Sequence, residues 1–372
     1  MKNIKFLFLF FFINFIIFEI FSLSMCKVFN LCSSPSYSFN KNEINHWIDH
    51  KIYGVWHKEN TEFIHVSECF SAKYLFNSFG AKDPERELNG KNRTLIVGDS
   101  YIEGYGVDNH KNFSYLMERE SYSNTKYLNF SSSGYFGSTQ YYVLIKDLLK
   151  KIEFDRVILF LNPGSDFKDD SYEFGKLFHY KKYRPYLDQN LDQIFYYNEE
   201  YKNYQNDEIK FKNILDNFTY SYKFLRYLKQ QFISSLKNKK IKELNNKDTD
   251  GYVSYYEKYP NDTFNILKKN LFNIHQILDQ KKIKLVVFTI PSKKDLLYFE
   301  SNKNAYNNLD IDLENYLNKL GIKFSSLLES KVTNKKLEIK NYFDCTDHLS
   351  EDGHISLKDI IKDRLISLDE KY

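Results

Sequence analysis

The chain has few cysteines, little net charge and no glycine-rich phosphate loop, and each shortage argues against a class of function. It holds 4 cysteines among 372 residues, at positions 26, 32, 69 and 345. No two of them form a C-x-x-C pair, so neither a zinc site nor a thioredoxin-like redox motif is indicated. The formal net charge is only +4, so we expect no nucleic-acid partner. The loop after Val97 lacks the glycine spacing of a phosphate cradle.

The composition does support a large folded core. Hydrophobic residues make up 42% of the chain and aromatic residues 18%, which is enough for one large domain or two small ones. The many Tyr, Phe, Lys, Asn and Ile residues share AT-rich codons, so we ascribe the aromatic content to genomic bias. A Cys32–Cys69 disulfide is one candidate pairing in an oxidising compartment, although spacing alone does not fix the connectivity.

Residues 1–26 are interpreted as a signal peptide or signal-anchor. A short basic start precedes an apolar run from Phe6 to Ile17, as in the n-region and h-region of a secretory signal. The run is shorter than the roughly 20 residues that span a membrane. All interpretations of this segment place the rest of the chain outside the cytoplasm, in the periplasm or at the cell surface.

Three fates of this segment stay open. Ser22-Leu23-Ser24 is a weak small-x-small cleavage pattern. An uncleaved anchor reaching about Met25 has to tolerate Glu19 near its end, and it would tie the protein to the membrane. Leu23-Ser24-Met25-Cys26 loosely resembles a lipoprotein site, with an unfavourable Met before the Cys.

Beyond residue 90 the pattern alternates between short buried strands and amphipathic helices. This alternation predicts an α/β fold, a three-layer parallel sheet with helices on both faces. The predicted strands are 94–97, 126–130, 156–161, 284–290 and 322–324. The predicted helices fall around 141–152, 264–278, 310–320 and 355–366.

Two segments depart from this rhythm. Residues 27–90, here called the preface, carry turn residues between short apolar stretches, which indicates loops and short strands packed on the core. Residues 168–262 are rich in Lys, Asn, Tyr and Asp, and we interpret them as a largely helical insertion with one long helix over about 211–232. The core domain is then 91–372 with this insertion, which is either a lid over the site or an excursion with no direct role.

Ser100 is the strongest candidate for chemistry. It follows Gly98 and Asp99 at the end of the first predicted strand, where open α/β sheets place their sites. A serine hydroxyl needs a base within hydrogen-bond reach and an orienting group behind that base. His348, after the last predicted strand, is the best candidate base, whereas His354 is interpreted as a helix-start residue.

Acyl transfer from such a serine also needs donors for the tetrahedral oxyanion. The Ser100 N–H is one natural donor. Gly134 follows the second strand, and its lack of a side chain allows close approach to a substrate. A third donor is expected from the loop after Leu161. Asp99 is predicted to bond the backbone of the turn, and Glu103 to be solvated or to act behind the site.

These blocks together resemble the SGNH/GDSL-type hydrolase family. Gly98-Asp99-Ser100 with Glu103 to Val107 is similar to the first family block, and Asn129 to Gly134 to the second. In the third block, Gly164-Ser165-Asp166 has Ser165 where the family carries Asn. His348 and Gly353 match the spacing of the last block. The resemblance implies a flavodoxin-like sheet, with Ser100 as nucleophile, His348 as base, and Ser100, Gly134 and Ser165 as oxyanion donors.

The orienting carboxylate is the part that fits the family least well. The family has Asp three residues before the His, where this chain has Cys345. Asp347 is adjacent to His348, and neighbouring side chains in an extended loop point apart. We therefore prefer Asp344 as the third catalytic residue, on a one-residue bulge, with Asp347 as the alternative.

The resemblance implies an exported serine esterase, acting as an O-acyl hydrolase or transferase on an acyl ester. Asn77-Ser78-Phe79-Gly80 and Ile290-Pro291-Ser292-Lys293 resemble exported members associated with cell-surface polysaccharide acylation, which implies a glycan substrate and envelope acylation partners. The resemblance implies neither a cofactor nor a metal. The alternative is a catalytically weak polysaccharide-binding scaffold, and a phosphate-binding flavodoxin-like domain is a weaker one.

Overall fold

The described part of the chain divides into two compact units. A computed structural model describes residues 2–29, 31–32, 35, 46–67, 69–120, 124–178, 183–188, 190–197, 211–229, 232, 252–329 and 336–370. One unit comprises Met1–Ile44 with Gln205–Asp250, and the other comprises Asn45–Tyr204 with Gly251–Tyr372. The predicted insertion is therefore shared between the units, and its residues 179–182, 189, 198–210, 230–231 and 233–251 lie outside the described residues.

The larger unit is built on a five-stranded parallel sheet. Its strands are β5 (Arg93–Val97), β6 (Lys126–Asn129), β7 (Arg156–Leu161), β10 (Lys284–Thr289) and β11 (Lys323–Ser326). Their spatial order is β6-β5-β7-β10-β11, which is the 2-1-3-4-5 order of doubly wound flavodoxin-like folds. The predicted fold class is confirmed.

Helices cover both faces of this sheet. Along β5, Leu95 and Val97 belong to one buried cluster and Ile96 to the other, because successive strand side chains point to opposite faces. The helices are α2 (Ser100–Glu103), α3 (Phe113–Arg119), α4 (Ser138–Leu148), α5 (Pro163–Asp170), α6 (Tyr172–Phe178), α8 (Asn261–Asp279), α9 (Lys293–Ser301), α10 (Asn308–Lys319) and α11 (Glu351–Glu370). Helix α4 contacts α8 on one face, and α3 contacts α11 on the other.

The preface forms two antiparallel hairpins. Strands β1 (Trp47–His50) and β2 (Gly54–His57) pair with each other, as do β3 (Glu62–Val66) and β4 (Ser71–Leu75). Hairpin β3–β4 alternates exposed residues with more buried ones, as expected for a sheet with one solvated face. A third hairpin, β8 (Arg184–Leu187) with β9 (Ile194–Tyr197), lies within the predicted helical insertion and was not predicted.

The smaller unit joins the N-terminal helix to part of the insertion. Helix α1 (Lys2–Val28) is continuous, and α7 (Phe211–Phe218) is followed by helical residues 220–229. Thr219 therefore interrupts the long helix that we predicted over about 211–232. Segment Lys5–Val28 is the one helix among the described residues that is long and apolar enough to cross a membrane, a test that signal sequences also pass.

The cysteine pairing differs from the candidate suggested above. The disulfides are Cys26–Cys32 and Cys69–Cys345, so the Cys32–Cys69 pairing is wrong. Cys26 and Cys32 are six residues apart at the end of α1, and a disulfide forms only between nearby cysteines. Cys69 in the β3–β4 turn instead reaches the loop that carries His348.

Candidate active site

Ser100 is the first residue of helix α2, directly beyond the carboxyl end of β5. Asp99 caps the helix, and its Oδ1 accepts a hydrogen bond of 3.0 Å from the Tyr101 N–H. A Cβ at Gly98 would lie 2.8 Å from Ile102 Cγ1 and 3.2 Å from Phe160 Cβ, so the turn requires glycine. The tight strand-to-helix turn places the Ser100 hydroxyl beyond the carboxyl ends of the parallel strands.

Ser100 and His348 lie within hydrogen-bond distance although they are 248 residues apart in sequence. His348 Nε2 is 2.8 Å from Ser100 Oγ, which is the reach required of a general base. The imidazole lies between two tyrosines of the first block, with ring centroids 4.2 Å from Tyr105 and 4.9 Å from Tyr101. These rings restrict the rotation of the imidazole.

Thr346 occupies the position behind the imidazole. Its Oγ1 lies 2.7 Å from His348 Nδ1, so it takes the place that we expected for a carboxylate. Asp344 is exposed to solvent. Among the described residues, it forms no hydrogen bond with the His348 imidazole. The Asp347 carboxylate instead pairs with Lys294 Nζ at 3.3 Å.

The environment of His348 favours its neutral form. Burial lowers the pKa of His348 to about 4, although the charges of Asp347 and Glu103 act in the opposite direction. A neutral imidazole with its proton on Nδ1 donates to Thr346 Oγ1 and leaves Nε2 free to accept from Ser100. The arrangement can therefore remove the Ser100 proton at neutral pH.

Gly134 lies in a buried turn after β6. In this structure its N–H donates to Ser132 Oγ at 3.3 Å, a long bond with which a substrate oxyanion can compete. The neighbouring N–H of Ser133 donates to Glu103 Oε2 at 2.6 Å, and the Ser132 N–H donates to Gly98 O at 3.1 Å. The turn is therefore tied to the elements that carry Ser100.

Ser165 and Asp99 form a hydrogen bond between the first and third blocks. Ser165 Oγ donates to Asp99 Oδ2 at 2.9 Å. Burial raises the pKa of Asp99 to about 7, while bonds from Ser165, the Tyr101 N–H and the Asn162 side chain oppose that shift. Asp99 thus bonds the turn as predicted from sequence. The hydroxyl of Ser165 is engaged by Asp99, and its role as a third oxyanion donor stays a prediction.

Sequence reasoning missed one residue at the site and left the role of another, Glu103, open. Thr346 was overlooked because no family block marks it, although it lies two residues before His348 in the same loop. Glu103 is not solvated as one of our interpretations held, since only 2% of its surface is exposed. Within the described residues, no cluster of three or more His, Cys, Asp or Glu could hold a metal ion.

The chain is similar in structure to several solved proteins. No family model and no curated protein matches the chain. An esterase from Pseudoalteromonas sp. is 10% identical with a TM-score of 0.39, covering 74% of this chain and 97% of its own. A GDSL-like lipase from Bacteroides thetaiotaomicron is 11% identical with a TM-score of 0.37, covering 76% and 89%.

A member of the lipolytic G-D-S-L family from Veillonella parvula is 12% identical with a TM-score of 0.35, covering 72% of this chain and 94% of its own. The Bacteroides thetaiotaomicron and Veillonella parvula structures are described as GDSL proteins, and the chain is similar to them in fold.

Proposed function

We propose that the protein is a serine esterase of the SGNH/GDSL type that forms an acyl-enzyme on Ser100. The observation that carries the proposal is the 2.8 Å contact between Ser100 Oγ and His348 Nε2. It joins a serine at the end of one strand to a histidine near the other end of the chain, as a nucleophile and its base require. The flavodoxin-like strand order supports the same assignment.

The proposed reaction has two halves. Ser100 Oγ attacks the ester carbonyl while its proton passes to His348 Nε2, and the tetrahedral oxyanion is held by the N–H groups of Ser100 and Gly134. The intermediate collapses, the ester C–O bond breaks, and His348 returns the proton to the departing alkoxide. Water or a sugar hydroxyl then attacks acyl-Ser100, again with His348 as base, and frees the serine.

The neutral residue behind the imidazole distinguishes this site from a Ser-His-Asp triad. Thr346 Oγ1 can accept the Nδ1–H and so hold the ring orientation, but it brings no charge to stabilise the imidazolium. Asp347 supplies a nearby negative charge that raises the pKa of His348 against the effect of burial. We infer a Ser100–His348 dyad with Thr346 as positioning residue, in place of the role first assigned to Asp344.

We further propose that the acyl group comes from or goes to a cell-surface glycan. The support is the resemblance of the preface and of residues 290–293 to members that work in polysaccharide acylation. Hydrolysis and transfer share the first half-reaction, and the nature of the acceptor decides between them. Partners in envelope acylation are part of the same proposal.

We propose that residues 2–28 remain on the protein as a membrane anchor. In the smaller unit, the Glu19 carboxylate accepts hydrogen bonds from the N–H groups of Tyr220 and Ser221, which begin a helical stretch. The charge that interrupts the apolar run thus has partners within the chain. Cys26 is joined to Cys32, and a lipoprotein would need its thiol free. Disulfides also fit an exported domain.

The test is covalent labelling of the full chain, purified in detergent, with a fluorophosphonate probe. Wild-type protein should be labelled, and Ser100→Ala and His348→Ala should both lose the label while keeping the wild-type melting temperature. Undiminished labelling of folded Ser100→Ala would overturn the proposal. A folded wild type that neither takes the label nor hydrolyses short-chain esters would favour the polysaccharide-binding scaffold. The observation that supports this alternative is that, among the described residues, Thr346 and not a carboxylate lies behind His348.

A further inference from the structure

Glu103 is a buried carboxylate that the proposed reaction does not use. It is the last residue of helix α2, three residues after Ser100, and 2% of its surface is exposed. Burying a charge is costly unless it is paired. A carboxylate buried on the helix of the nucleophile therefore needs partners that compensate its charge.

The preface surrounds this carboxylate with basic groups. His57 Nε2 lies 3.0 Å from Glu103 Oε1, and His57 Nδ1 faces the Gly80 carbonyl at 2.9 Å. Buried Lys82 donates to the carbonyl groups of Gly104 and Val107, each at 2.6 Å. Burial alone would raise the pKa of Glu103, but His57 and Lys82 lower it to about 2. The side chain is therefore a carboxylate at neutral pH.

The other oxygen of this carboxylate reaches the predicted oxyanion turn. Glu103 Oε2 accepts the Ser133 N–H at 2.6 Å, and a hydrogen bond to a charged group is stronger than a neutral one. Tyr135, two residues later, has the uncommon backbone angle φ 60°, so the turn needs support from its surroundings. Gly134 lies between these two residues.

We propose that Glu103 is a positioning residue that fixes the Gly134 N–H for the oxyanion, and that His57 and Lys82 of the preface hold Glu103 in place. Helix α2 then carries Ser100 as its first residue and, as its last, the carboxylate that holds the oxyanion turn. The preface in turn positions this carboxylate. The expected loss of kcat rests on the proposed esterase function, whereas the expected rise in amide exchange at residues 131–135 does not.

The test compares Glu103→Ala and Glu103→Gln with a matched pair at Glu118. Glu118 is also a carboxylate that accepts a backbone N–H, from Tyr127 at 3.0 Å, and pairs with Arg86 at 2.9 Å. It has no hydrogen bond to residues 131–135 within the described part of the chain. Melting temperature, p-nitrophenyl acetate kinetics and amide exchange of residues 131–135 are measured for the full chain in detergent.

We expect Glu103→Ala to lower kcat by about 10- to 100-fold with KM nearly unchanged, because a displaced oxyanion donor acts in the transition state. Amide exchange at residues 131–135 should rise. Glu103→Gln keeps an acceptor for the Ser133 N–H and should recover most of both effects. The Glu118 variants should change the melting temperature without changing kcat or this exchange.

Two results would overturn the proposal. One is unchanged exchange at residues 131–135 in folded Glu103→Ala, with kcat at the wild-type value. The other is an equal loss of kcat in the Glu118 variants. If the wild type has no esterase activity but exchange rises in Glu103→Ala, the positioning role stands and the proposed function fails, so the two failures are separable.

Discussion

Cys69 and Cys345 join the β3–β4 hairpin of the preface to the loop of the catalytic base. Their Cα atoms lie 6.0 Å apart and their sequence separation is 276 residues. Cys345 immediately precedes Thr346 and stands where the resembled family carries its Asp. In this chain a covalent link to the preface occupies the position of an orienting carboxylate.

Breaking this link should impair both stability and catalysis. We expect Cys69→Ser, Cys345→Ser and the double variant to lose similar amounts of stability, about 2–4 kcal/mol by the usual effect of a disulfide, and to lower kcat for p-nitrophenyl acetate. Effects of the two single variants should not add, since each removes the same bond.

Cys26→Ser and Cys32→Ser provide the matched control for these variants. They remove the other disulfide, which lies in the smaller unit, and should leave kcat unchanged. A kcat of Cys345→Ser equal to that of the wild type would show that the loop of His348 holds its conformation without the link.

Thr346 should be required for efficient catalysis. Thr346→Val keeps the shape but removes the oxygen 2.7 Å from His348 Nδ1. We expect a fall in kcat of about 10- to 100-fold, because a lost buried hydrogen bond costs about 1–3 kcal/mol. Thr346→Ser keeps the hydroxyl and should stay near the wild type in steady-state kinetics. Equal rates for the Val and Ser variants would count against an orienting role.

The activity should persist to unusually low pH. Only neutral His348 acts as base, and burial lowers its pKa to about 4. As the pH falls, kcat/KM should therefore decline near pH 4, and not near the ordinary histidine value of about 6.5. The measurement is a pH profile of kcat/KM at constant ionic strength.

The charge of Asp347 should shift this profile. Its carboxylate raises the pKa of His348, so Asp347→Asn should move the acid limb to lower pH. Asp344→Asn is the control, since Asp344 is exposed, and should leave the limb in place. A larger shift with Asp344→Asn would restore Asp344 to the role first predicted for it.

A side chain at Gly134 should disturb the oxyanion turn. A Cβ there would lie 3.1 Å from Val55 Cγ1 and 3.2 Å from Trp47 Cζ3, so these side chains or the turn would have to shift by a few tenths of an ångström. We expect Gly134→Ala to lower kcat by about 10-fold or more, since small displacements of catalytic groups are costly. Adding Val55→Ala makes room and should restore part of the rate. No recovery in the double variant would mean that the loss has another origin.

The sheet could be predicted from sequence more fully than the preface. Runs such as Arg156–Leu161 are continuous and buried, and their ends agree with the structure. The preface hairpins have strands of four or five residues, some with exposed positions, so their periodicity is weak. The β8–β9 hairpin in the insertion was not predicted because its strands are equally short.

Ser100 and His348 could be predicted from sequence because each follows a strand and lies in a motif. The residue behind His348 could not be predicted, because its identity depends on the path of one loop and not on spacing. Thr346 reaches Nδ1 while Asp344, two residues earlier, faces solvent. Disulfide connectivity between residues 69 and 345 is likewise a long-range property that sequence does not encode locally.

The acyl-enzyme on Ser100 can be detected directly. Full-length protein is mixed with p-nitrophenyl acetate, quenched in acid within the first turnover, digested and mapped by mass spectrometry. We expect one acetyl group on the peptide containing Ser100, absent in Ser100→Ala and strongly reduced in His348→Ala. Hydrolysis of the ester by the wild type with acetyl on another residue, or undiminished hydrolysis by Ser100→Ala, would contradict the proposed mechanism.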